Sequence, residues 1–461
     1  MPNRYRSLSL WHESAGDDWQ PRPSLPASTD VDVAIVGAGF TGLWTAYYLT
    51  QAAAGLRIAV LEREVAGFGA SGRNGGWCSA LFPASTERIA REVGGDGAAA
   101  VRLLRTLQDT VVEVGRVAAV EGIDAHYQRG GTLTLARNAV QLRRLRAQVT
   151  EARKWGFGPD DLRLLDGREA TGLVAASGVR GATYTPHCAA VHPARLVRGL
   201  ARVVEDRGVT IHEQTPVRTV RPWRVETAAG TVRAEVVVRA TEGYTSSLAG
   251  ERRTLVPIYS LMVATEPLSD AHWQGIGLQG RETLTDGRHL IVYAQRTADG
   301  RLAFGGRGAP YHFGSRVRDD FDTAPRVFAK LEASVRELFP QLADVRFTHR
   351  WGGPLGVPRD WYPSVGLDKT TGLAWGGGYV GDGVGAANLA GRTIADLVLG
   401  RQSPLVDLPW VGHRWPRWEP EPLRWAAVTG ALAAMSAADP EERLTRRSSA
   451  LARVMAPFTG H

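Results

Sequence analysis

Apolar and polar positions alternate in a way that divides the chain into strands and helices from about residue 30 onward. The segment "VDVAIVGAGFTGLWTAYYLTQAA" predicts a buried strand, a glycine turn and a helix, and "LRIAVLERE" predicts a second apolar strand that ends in charge. Two such strands joined by a helix form a βαβ unit, which implies a parallel sheet. The preceding residues, rich in Pro, Ser and Trp, predict an irregular lead-in.

The pattern changes twice along the rest of the chain. Residues 85–125 and the segments "AVQLRRLRAQVTEARKWG" and "HPARLVRGLARVVEDRG" have helical periodicity, whereas "GTVRAEVVVRATEGY" predicts a buried strand that returns to the first sheet. Residues 251–350 alternate or nearly alternate, as in "HLIVYAQRT", which predicts antiparallel strands. The segment "GLAWGGGYVGDGVGAANLAGRTIADLVLG" again predicts strand, glycine turn and helix.

These patterns predict an α/β protein of two lobes, or α+β in the wider sense. One lobe is a Rossmann-like dinucleotide-binding domain, and the other is an antiparallel-sheet substrate domain. The C-terminal extension holds the apolar run Ala426–Ala438, which is too short to span a bilayer and which we expect to dock on the protein rather than on a membrane surface. The expected ranges are 1–29 for the lead-in, 30–84, 188–250 and 352–401 for the dinucleotide domain, 85–187 and 251–351 for the substrate domain, and 402–461 for the Trp-rich and helical extension.

Charge and cysteine content narrow the class of partner. The chain of 461 residues has 55 basic and 47 acidic side chains, a formal charge of +8, and its basic residues are interleaved with acids. This arrangement predicts solvated helix faces and no nucleic-acid partner, although a basic protein favours anionic cofactors.

Cys78 and Cys188 lack metal-binding spacing, so two free thiols and no metal site are expected. No signal-peptide or membrane-spanning run is present, which favours the cytoplasm.

The first glycine turn carries a dinucleotide motif. Gly37, Gly39 and Gly42 form GxGxxG between a strand and a helix. The first glycine permits the tight turn, the second lets the backbone approach a pyrophosphate, and the third lets the helix pack near the strand. Glu62 lies twenty residues beyond Gly42, at the end of the second strand, where an acid bonds a ribose diol. The motif alone leaves FAD and NAD open.

A second run of small residues follows the second strand. The stretch "GFGASGRNGGWCSALFP", Gly67 to Pro83, holds an Arg and an Asn among glycines. Glycines let a flat ring meet the backbone without a Cβ between them, and an Arg can neutralise a diphosphate. Composition alone would also allow a mobile surface loop, but the position after Glu62 favours a second cofactor contact.

At these motifs the sequence resembles a known family. The pattern "GAGFTGLWTAYYL…VLERE.AGFGASGRNGG" is similar to the amine-oxidising flavoproteins of the D-amino-acid oxidase and glycine oxidase superfamily, and most of all to the γ-glutamylputrescine oxidoreductase-like branch. The likeness continues through "HPARLVRGLA", "VPIYSLMVATEPL", "RWGGPLGVPRDWYPSVG" and "GGGYVGDGVGAANLAGR". It covers roughly residues 30–400 in order, and it leaves out the lead-in and the tail.

The resemblance implies noncovalent FAD held by residues from several segments. No His lies in "GASGRNGG", and Cys78 does not match a known attachment position. By position, the second glycine loop would line the pyrophosphate, the ribityl chain and the edge of the flavin ring. The residues that the resemblance assigns there are Ser71, Arg73, Asn74, Gly75 and Gly76. Further cofactor contacts are expected from Phe40, Thr41, Arg63, Val217, Thr241, Gly381, Asp382, Gly383 and Val384.

Two positions depart from the family pattern. Asp382 stands in "GYVGDGVG" where many relatives have His, and Glu242 stands in "ATEGY" where relatives often have Asn. We expect Asp382 to cap the helix that begins near Val384, or else to contact a substrate amine. The N-terminus of that helix could stabilise negative charge on a reduced flavin.

The substrate side is predicted on the antiparallel lobe. A flavin accepts a hydride from the carbon next to a neutral amine, so no dedicated acid or base is required. Tyr293 and Gln295 lie two apart on one strand face, and an Arg would bind a substrate carboxylate through two parallel hydrogen bonds. The candidate contacts are Tyr259, Tyr293, Gln295, Arg307 and Arg350.

The resulting hypothesis is FAD-dependent oxidation of an amine or amino acid to an imine that hydrolyses, with O2 reduced to H2O2. One alternative is a dehydrogenase that passes electrons to another acceptor. Others are a flavin-dependent protein that modifies tRNA, for which the sequence offers no basic face, and a subunit that binds FAD without turnover. The expected partners are therefore a small amine or amino acid and an electron acceptor.

Overall fold

The computed structural model describes residues 2–455, and its strands form two large sheets and one small one. In chain order the strands are β1 (Thr29–Val36), β2 (Ile58–Leu61), β3 (Trp77–Ser79), β4 (Thr132–Ala136), β5 (Arg163–Asp166), β6 (Gly181–Thr185), β7 (Cys188–Ala190), β8 (Thr210–His212), β9 (Val217–Arg221), β10 (Arg224–Thr227), β11 (Thr231–Arg239), β12 (Val256–Thr265), β13 (Thr283–Asp286), β14 (Val292–Arg296), β15 (Leu302–Gly306), β16 (Phe347–Val357), β17 (Ser364–Asp368) and β18 (Leu373–Gly377).

The helices occupy the segments between these strands and both chain ends. In chain order they are α1 (Pro2–Arg6), α2 (Leu10–Ser14), α3 (Phe40–Ala52), α4 (Ala70–Arg73), α5 (Thr86–Glu92), α6 (Gly97–Val120), α7 (Ala139–Lys154), α8 (Gly167–Leu173), α9 (Pro193–Asp206), α10 (Asp270–Ile276), α11 (Pro325–Leu338), α12 (Gly383–Val398), α13 (Leu423–Thr445) and α14 (Ala450–Met455). Short 3-10 turns lie at Glu242–Ser247, Asp319–Asp322 and Pro340–Leu342.

The first sheet is the predicted dinucleotide-binding layer. Its order is β17-β18-β11-β1-β2-β8, and β9 and β10 extend from β11 as an antiparallel pair. The pairs β11–β1, β1–β2, β2–β8 and β11–β18 are parallel, as crossover connections require. The first turn and the N-terminus of α3 therefore lie at the carboxyl edge of this sheet, where ligands of such folds bind.

The second sheet is the predicted antiparallel lobe. Its order is β16-β12-β15-β14-β13-β4-β6-β5, and every pair is antiparallel except β13–β4. Leu261, Val263 and Phe304 lie in its core, against which α11 packs Leu331 and Val335. The mixed α/β fold class with an antiparallel second sheet is thus confirmed.

The long helix α6 packs with the first sheet and not with the second. Leu103, Leu107 and Val111 lie in the same buried cluster as Leu43 of α3 and Ala390 of α12. The apolar stripe predicted by helical periodicity is present, but the sequence pattern does not say which sheet it faces. We propose that residues 85–125 go with the first lobe, in place of the substrate domain to which the sequence assigned them.

The lead-in is partly helical, which corrects the expectation of a wholly irregular segment, while residues 15–28 have no regular secondary structure, as expected. It forms α1 and α2, and the Trp11 indole Nε1 donates to the Asn74 carbonyl oxygen at 2.8 Å. Arg22 pairs with the fully buried Glu213 at 2.9 Å, which fixes the segment to the end of β8. The chain before β1 therefore covers the second glycine loop.

The C-terminal extension docks on two loops of the second lobe. Glu421 accepts hydrogen bonds from the Tyr311 hydroxyl at 2.7 Å and from the Gly314 amide at 2.8 Å. Asp439 on α13 accepts the amide N–H of His289 at 2.9 Å. Within residues 2–455 no helix has the length and apolar character that crossing a bilayer requires.

Candidate active site

A long cleft runs along the carboxyl edge of the first sheet. It encloses about 1180 Å³ of empty space, including its open mouth. The glycine turn after β1, the end of β2, the second glycine loop and the segment after β11 form its walls. Its lining includes Gly37, Gly39, Phe40, Thr41, Glu62, Arg63, Ser71, Asn74, Val217, Thr241, Gly381, Gly383 and Val384.

The glycines of the first turn are required by close contacts. Gly37 has φ +106°, and a Cβ there would lie 2.6 Å from the Ala240 carbonyl oxygen. A Cβ on Gly42 would lie 2.0 Å from the Gly37 carbonyl oxygen, so α3 can approach β1 only with glycine at this position. Gly42 thus shapes the turn without lining the cleft, whereas Gly37 and Gly39 line it.

Glu62 stands at the end of β2 with both oxygens already oriented. Its Oε2 accepts the Ala38 amide at 2.9 Å and its Oε1 accepts the Glu64 amide at 3.0 Å. Burial raises the pKa of this carboxyl group despite these two bonds. Each oxygen keeps a lone pair for a further donor, so the carboxylate can accept bonds from a ribose diol.

The second glycine loop is tied to the first turn. Ser71 Oγ accepts the Phe40 amide at 2.8 Å, one of the donors that a helix N-terminus leaves free. Asn74 Nδ2 donates to the Ala70 carbonyl oxygen at 3.0 Å, and Asn74 Oδ1 accepts the Gly76 amide at 2.7 Å. The loop is therefore a fixed wall of the cleft and not a mobile surface turn.

Arg73 differs from its expected role at the diphosphate. Its side chain is buried and donates to Asp322 of the second lobe and to the Tyr244 hydroxyl, the latter at 2.9 Å. Its guanidinium lies 4.9 Å from the centre of the Phe68 ring. Phe68 and Tyr244 line the cleft, whereas Arg73 does not. The charge of Arg73 is neutralised by the Asp322 carboxylate, 249 residues away in the chain. Arg73 therefore forms an ion pair that joins the two lobes.

Gly75 and Gly76 face the second sheet, outside the lining of the cleft. A Cβ on Gly75 would lie 2.5 Å from the ring of Tyr293, and a Cβ on Gly76 would lie 1.8 Å from Nε2 of Gln295. Gln295 donates to the Gly75 carbonyl oxygen at 2.8 Å and to the Val191 carbonyl oxygen at 3.2 Å. Tyr293 and Gln295 thus share one strand face, as the spacing predicts, but Gln295 holds the loop.

Arg307 is the predicted substrate residue with the most donors to spare. It follows β15, and its Nη2 donates to the Val380 carbonyl oxygen at 2.7 Å. Its guanidinium lies 5.6 Å from the centre of the Trp361 ring, and burial lowers its pKa. A guanidinium has five N–H donors, so most of them stay available to a ligand carboxylate. Tyr293 donates to or accepts from Ser260 Oγ at 2.8 Å nearby.

Arg350 and Tyr259 do not join this group. Arg350 lies on the exposed side of β16 and pairs with Glu332 at 2.6 Å. Tyr259 is fully buried in the second sheet, packed against Phe321. Neither residue borders the cleft, because strand position alone does not tell which face of the second sheet meets it.

Glu242 is a cleft residue whose role the sequence left open. It has φ +41°, and its carboxylate accepts the Gly356 amide at 2.5 Å and the Tyr379 amide at 3.1 Å. Burial raises its pKa to about 7. Glu242 therefore connects β16 of the second lobe with the turn after β18.

Asp382 occupies the N-cap position of α12 without acting as a cap. Its side chain accepts no amide of the helix, which contradicts the expected capping role. The carboxylate faces Ser79, whose Oγ lies 3.4 Å from Oδ1, and burial raises its pKa to about 6. Its neighbours Gly381 and Gly383 line the cleft.

Several lining residues were missed by sequence reasoning. Phe68, the loop residue Leu248, and Leu355 of β16 all border the cleft. Tyr244 also borders the cleft, and the sequence indicates it as an aromatic residue directly after a strand of the first sheet. The others come from segments that the fold brings together.

The donor set fits a bound dinucleotide with a flavin. The N-terminus of α3 offers backbone N–H groups and positive partial charge to a pyrophosphate, and Glu62 offers acceptors to a ribose. Gly37 and Gly39 line the cleft there, and without a Cβ they leave the backbone of the turn accessible to a phosphate. The same cleft continues to Gly381 and Gly383 at the start of α12.

Known proteins resemble this chain over most of its length. The FAD dependent oxidoreductase family model matches residues 32–397. The chain is 32% identical to gamma-glutamylputrescine oxidoreductase of Escherichia coli K12 over 402 residues, which is 85% of this chain and 89% of that protein. It is 30% identical to glycine oxidase of Pseudomonas aeruginosa over 81% of this chain and 96% of the other.

Solved structures show the same fold. The crystal structure of glycine oxidase from Geobacillus kaustophilus superposes with a TM-score of 0.69 at 22% identity and covers 83% of this chain and 99% of that one. The chain therefore belongs to the family of FAD dependent oxidoreductases, and its cofactor is FAD.

Proposed function

We propose that the protein uses noncovalently bound FAD to oxidise a C–N bond of an amine or amino acid. The observation that carries this proposal is the single cleft that joins the GxGxxG turn, Glu62 and the second glycine loop and reaches Gly381, whose neighbour Val380 accepts a hydrogen bond from Arg307. Relatives named for oxidising gamma-glutamylputrescine and glycine support the substrate class. Burial raises the pKa of the Cys78 thiol well above its usual value, which supports noncovalent attachment.

The chemistry divides between cofactor and protein. Bound FAD supplies an acceptor for two electrons as a hydride. The substrate carbon loses that hydride and its nitrogen loses a proton, so the product is an imine, which adds water to give a carbonyl compound and a free amine. Reduction of O2 by two electrons and two protons would yield H2O2 and return the cofactor to its oxidised state.

The residues of this chain bind and orient the substrate. Arg307 presents free N–H donors to a carboxylate, and Tyr293 and Trp77 form an aromatic corner with ring centres 6.1 Å apart. Exclusion of water by such side chains lowers the pKa of a bound ammonium, which favours the neutral amine that can release a hydride. No side chain has to take part in covalent chemistry.

Anaerobic reduction of the bound flavin tests this proposal. Purified protein should be yellow, and an amine or amino acid from a panel of primary amines, N-methyl amino acids and D- and L-amino acids should bleach it without O2. Steady-state rates with O2 against artificial electron acceptors distinguish an oxidase from a dehydrogenase. A flavin that no compound of the panel bleaches would contradict the proposed activity.

A pair of glycine variants tests the cofactor site. A Cβ on Gly39 would lie 2.8 Å from Ser71 Oγ, so Gly39→Val should abolish FAD binding. Gly172→Val is the matched control, because no atom lies within 4 Å of the Cβ position there. Circular dichroism confirms that both variants fold, and full FAD retention by Gly39→Val would remove the turn from the site.

A further inference from the structure

Charged and polar side chains from five elements meet at the start of α12. Asp382 precedes the helix, Ser79 ends β3, Tyr293 comes from β14, Arg307 follows β15 and Cys188 begins β7. Ser79 Oγ lies 3.4 Å from Asp382 Oδ1, and Arg307 Nη2 donates to the Val380 carbonyl oxygen two residues before Asp382. The Asp382 charge also contributes to the pKa values of Arg307, Tyr293 and Cys188. The cluster lies where the second glycine loop, the second sheet and the N-terminus of α12 come together.

The Asp382 carboxylate has little to bind within the protein. It caps no helix amide, and its one hydrogen bond, from Ser79 Oγ, is long at 3.4 Å. Arg307 is the nearest cation, yet no nitrogen of Arg307 lies within 4.0 Å of the Asp382 oxygens. A half-buried carboxylate without close donors is costly, so an external cation in this position would be stabilised.

Arg307 shows the complementary gap. Its hydrogen bond to the Val380 carbonyl oxygen leaves most of its donors without a partner, and a Cβ on Gly381 would lie 3.7 Å from its Nη2. Arg307 and Asp382 therefore approach loop 380–382 as a positive and a negative group that do not pair with each other. A ligand that carries both charges close together can bridge them.

We propose that Asp382 binds the ammonium group of the incoming substrate and accepts a proton from it, which leaves the neutral amine for oxidation, while Arg307 binds its carboxylate, so that the site selects an amino acid in which the two groups flank one carbon. This inference rests on the proposed function and names the substrate class of that site. A plain amine would leave the Arg307 guanidinium uncompensated, and a plain carboxylic acid would leave Asp382 uncompensated. An unpaired buried partner is the strongest basis for rejecting an analogue that lacks one group.

The pH dependence of binding follows from the groups around Asp382. The Tyr293 hydroxyl and the Cys188 thiol have raised pKa values, that of Cys188 to about 11, and Arg307 stays protonated, so none of these changes charge between pH 5 and 8. Ser79 does not titrate. Burial raises the pKa of Asp382 to about 6, so its negative charge is present at pH 8 and mostly absent at pH 5. Ammonium binding should therefore weaken as the pH falls through 6.

The test uses three non-reacting probes on the oxidised holoenzyme. The first is 2-aminoisobutyrate, which carries both charges but has no hydrogen on the carbon next to nitrogen and cannot donate a hydride. Isobutyrate lacks the ammonium group, and tert-butylammonium lacks the carboxylate. Each is titrated at pH 8 and pH 5 against the visible spectrum of the flavin. The variants are Asp382→Asn and Asp382→Glu, and Asp396→Asn on the same helix is the matched control.

The expected result is a difference between probes. Asp382→Asn should weaken binding of 2-aminoisobutyrate at pH 8 by at least about tenfold, the loss expected for a charge-assisted hydrogen bond. It should leave isobutyrate as tight or tighter, Asp382→Glu should restore part of the loss, and the variant should no longer respond to pH. Circular dichroism and FAD content should match the wild type for all variants.

Other outcomes overturn the inference. Equal weakening of 2-aminoisobutyrate and isobutyrate, no weakening of either, or no binding of any probe by the wild type would show that Asp382 does not read the ammonium group. These results would leave the proposed oxidation intact if amines still bleach the flavin. A protein without flavin would refute both proposals together.

Discussion

Replacing Arg73 by methionine should destabilise the protein itself, beyond any effect on FAD. Arg73 and Asp322 form an ion pair across the lobes, and their side chains are only 2% and 16% exposed. Methionine keeps an apolar stem beside Phe68 but leaves the Asp322 carboxylate without its cation. The Tyr244 hydroxyl loses its partner in the same change.

The size of the effect follows from the burial of Asp322. Leaving one partner of a buried ion pair uncompensated costs about 3–5 kcal/mol, against a total free energy of unfolding of about 5–15 kcal/mol. Burial already raises the pKa of Asp322 in the presence of Arg73, and without Arg73 it rises further. Because a carboxyl group with a raised pKa in the folded state destabilises the fold as the pH increases, the loss should be larger at pH 8 than at pH 5.

Urea unfolding of the apoprotein, followed by tryptophan fluorescence, measures this loss at both pH values. The matched set is Arg73→Met, Asp322→Asn and the double variant. The double variant should lose less free energy of unfolding than the sum of the two single-variant losses, by a coupling free energy of about 1–3 kcal/mol. Suppose that the Arg73→Met apoprotein unfolds at the wild-type urea concentration and that the same variant, as purified, carries no FAD. Arg73 would then bind the diphosphate and would not serve as the ion pair between the lobes.

Three further substitutions test the site and its surroundings. Gly42→Ala should lower the free energy of unfolding by about 1–3 kcal/mol or more, because its Cβ would lie 2.0 Å from the Gly37 carbonyl oxygen. The melting temperature, measured by scanning fluorimetry, and the FAD content, measured by flavin absorbance, should both fall. Ser71→Ala should cost about 1 kcal/mol in urea unfolding, because the Phe40 amide at the start of α3 loses its acceptor. Trp11→Ala should cost about 3–5 kcal/mol and raise the FAD dissociation constant, measured by fluorescence titration, because the bond to the Asn74 carbonyl oxygen holds the second glycine loop. Wild-type FAD affinity in the Trp11 variant would contradict that link.

The sequence predicted those parts of the fold that local patterns determine. The order of strand, glycine turn and helix around Gly37, the acid at Glu62 and the antiparallel strands after residue 251 are all present. Each depends on residues a few positions apart, whose periodicity or spacing has a direct structural meaning. The glycine at position 42 is explained by one contact within the same turn.

The errors concern partners that are distant along the chain. Arg73 and Arg350 are arginines in plausible positions, but their charges are taken up by Asp322 and Glu332. Nothing local distinguishes an arginine that binds a ligand from one that binds a carboxylate of another lobe. The same applies to Asp382, where a position before a helix suggested a cap that the side-chain direction does not provide.

The contact between the second glycine loop and β14 bears on how this enzyme can change. Gly76 has φ +69°, and the place of its absent Cβ lies 1.8 Å from the amide nitrogen of Gln295 and 2.5 Å from the Val191 carbonyl oxygen. A shorter side chain at position 295 would relieve only the first of these contacts. In a library that randomises both positions, function should therefore survive with several residues at 295 but with glycine alone at 76, so that diversity aimed at new substrates belongs on the strand and not on the loop.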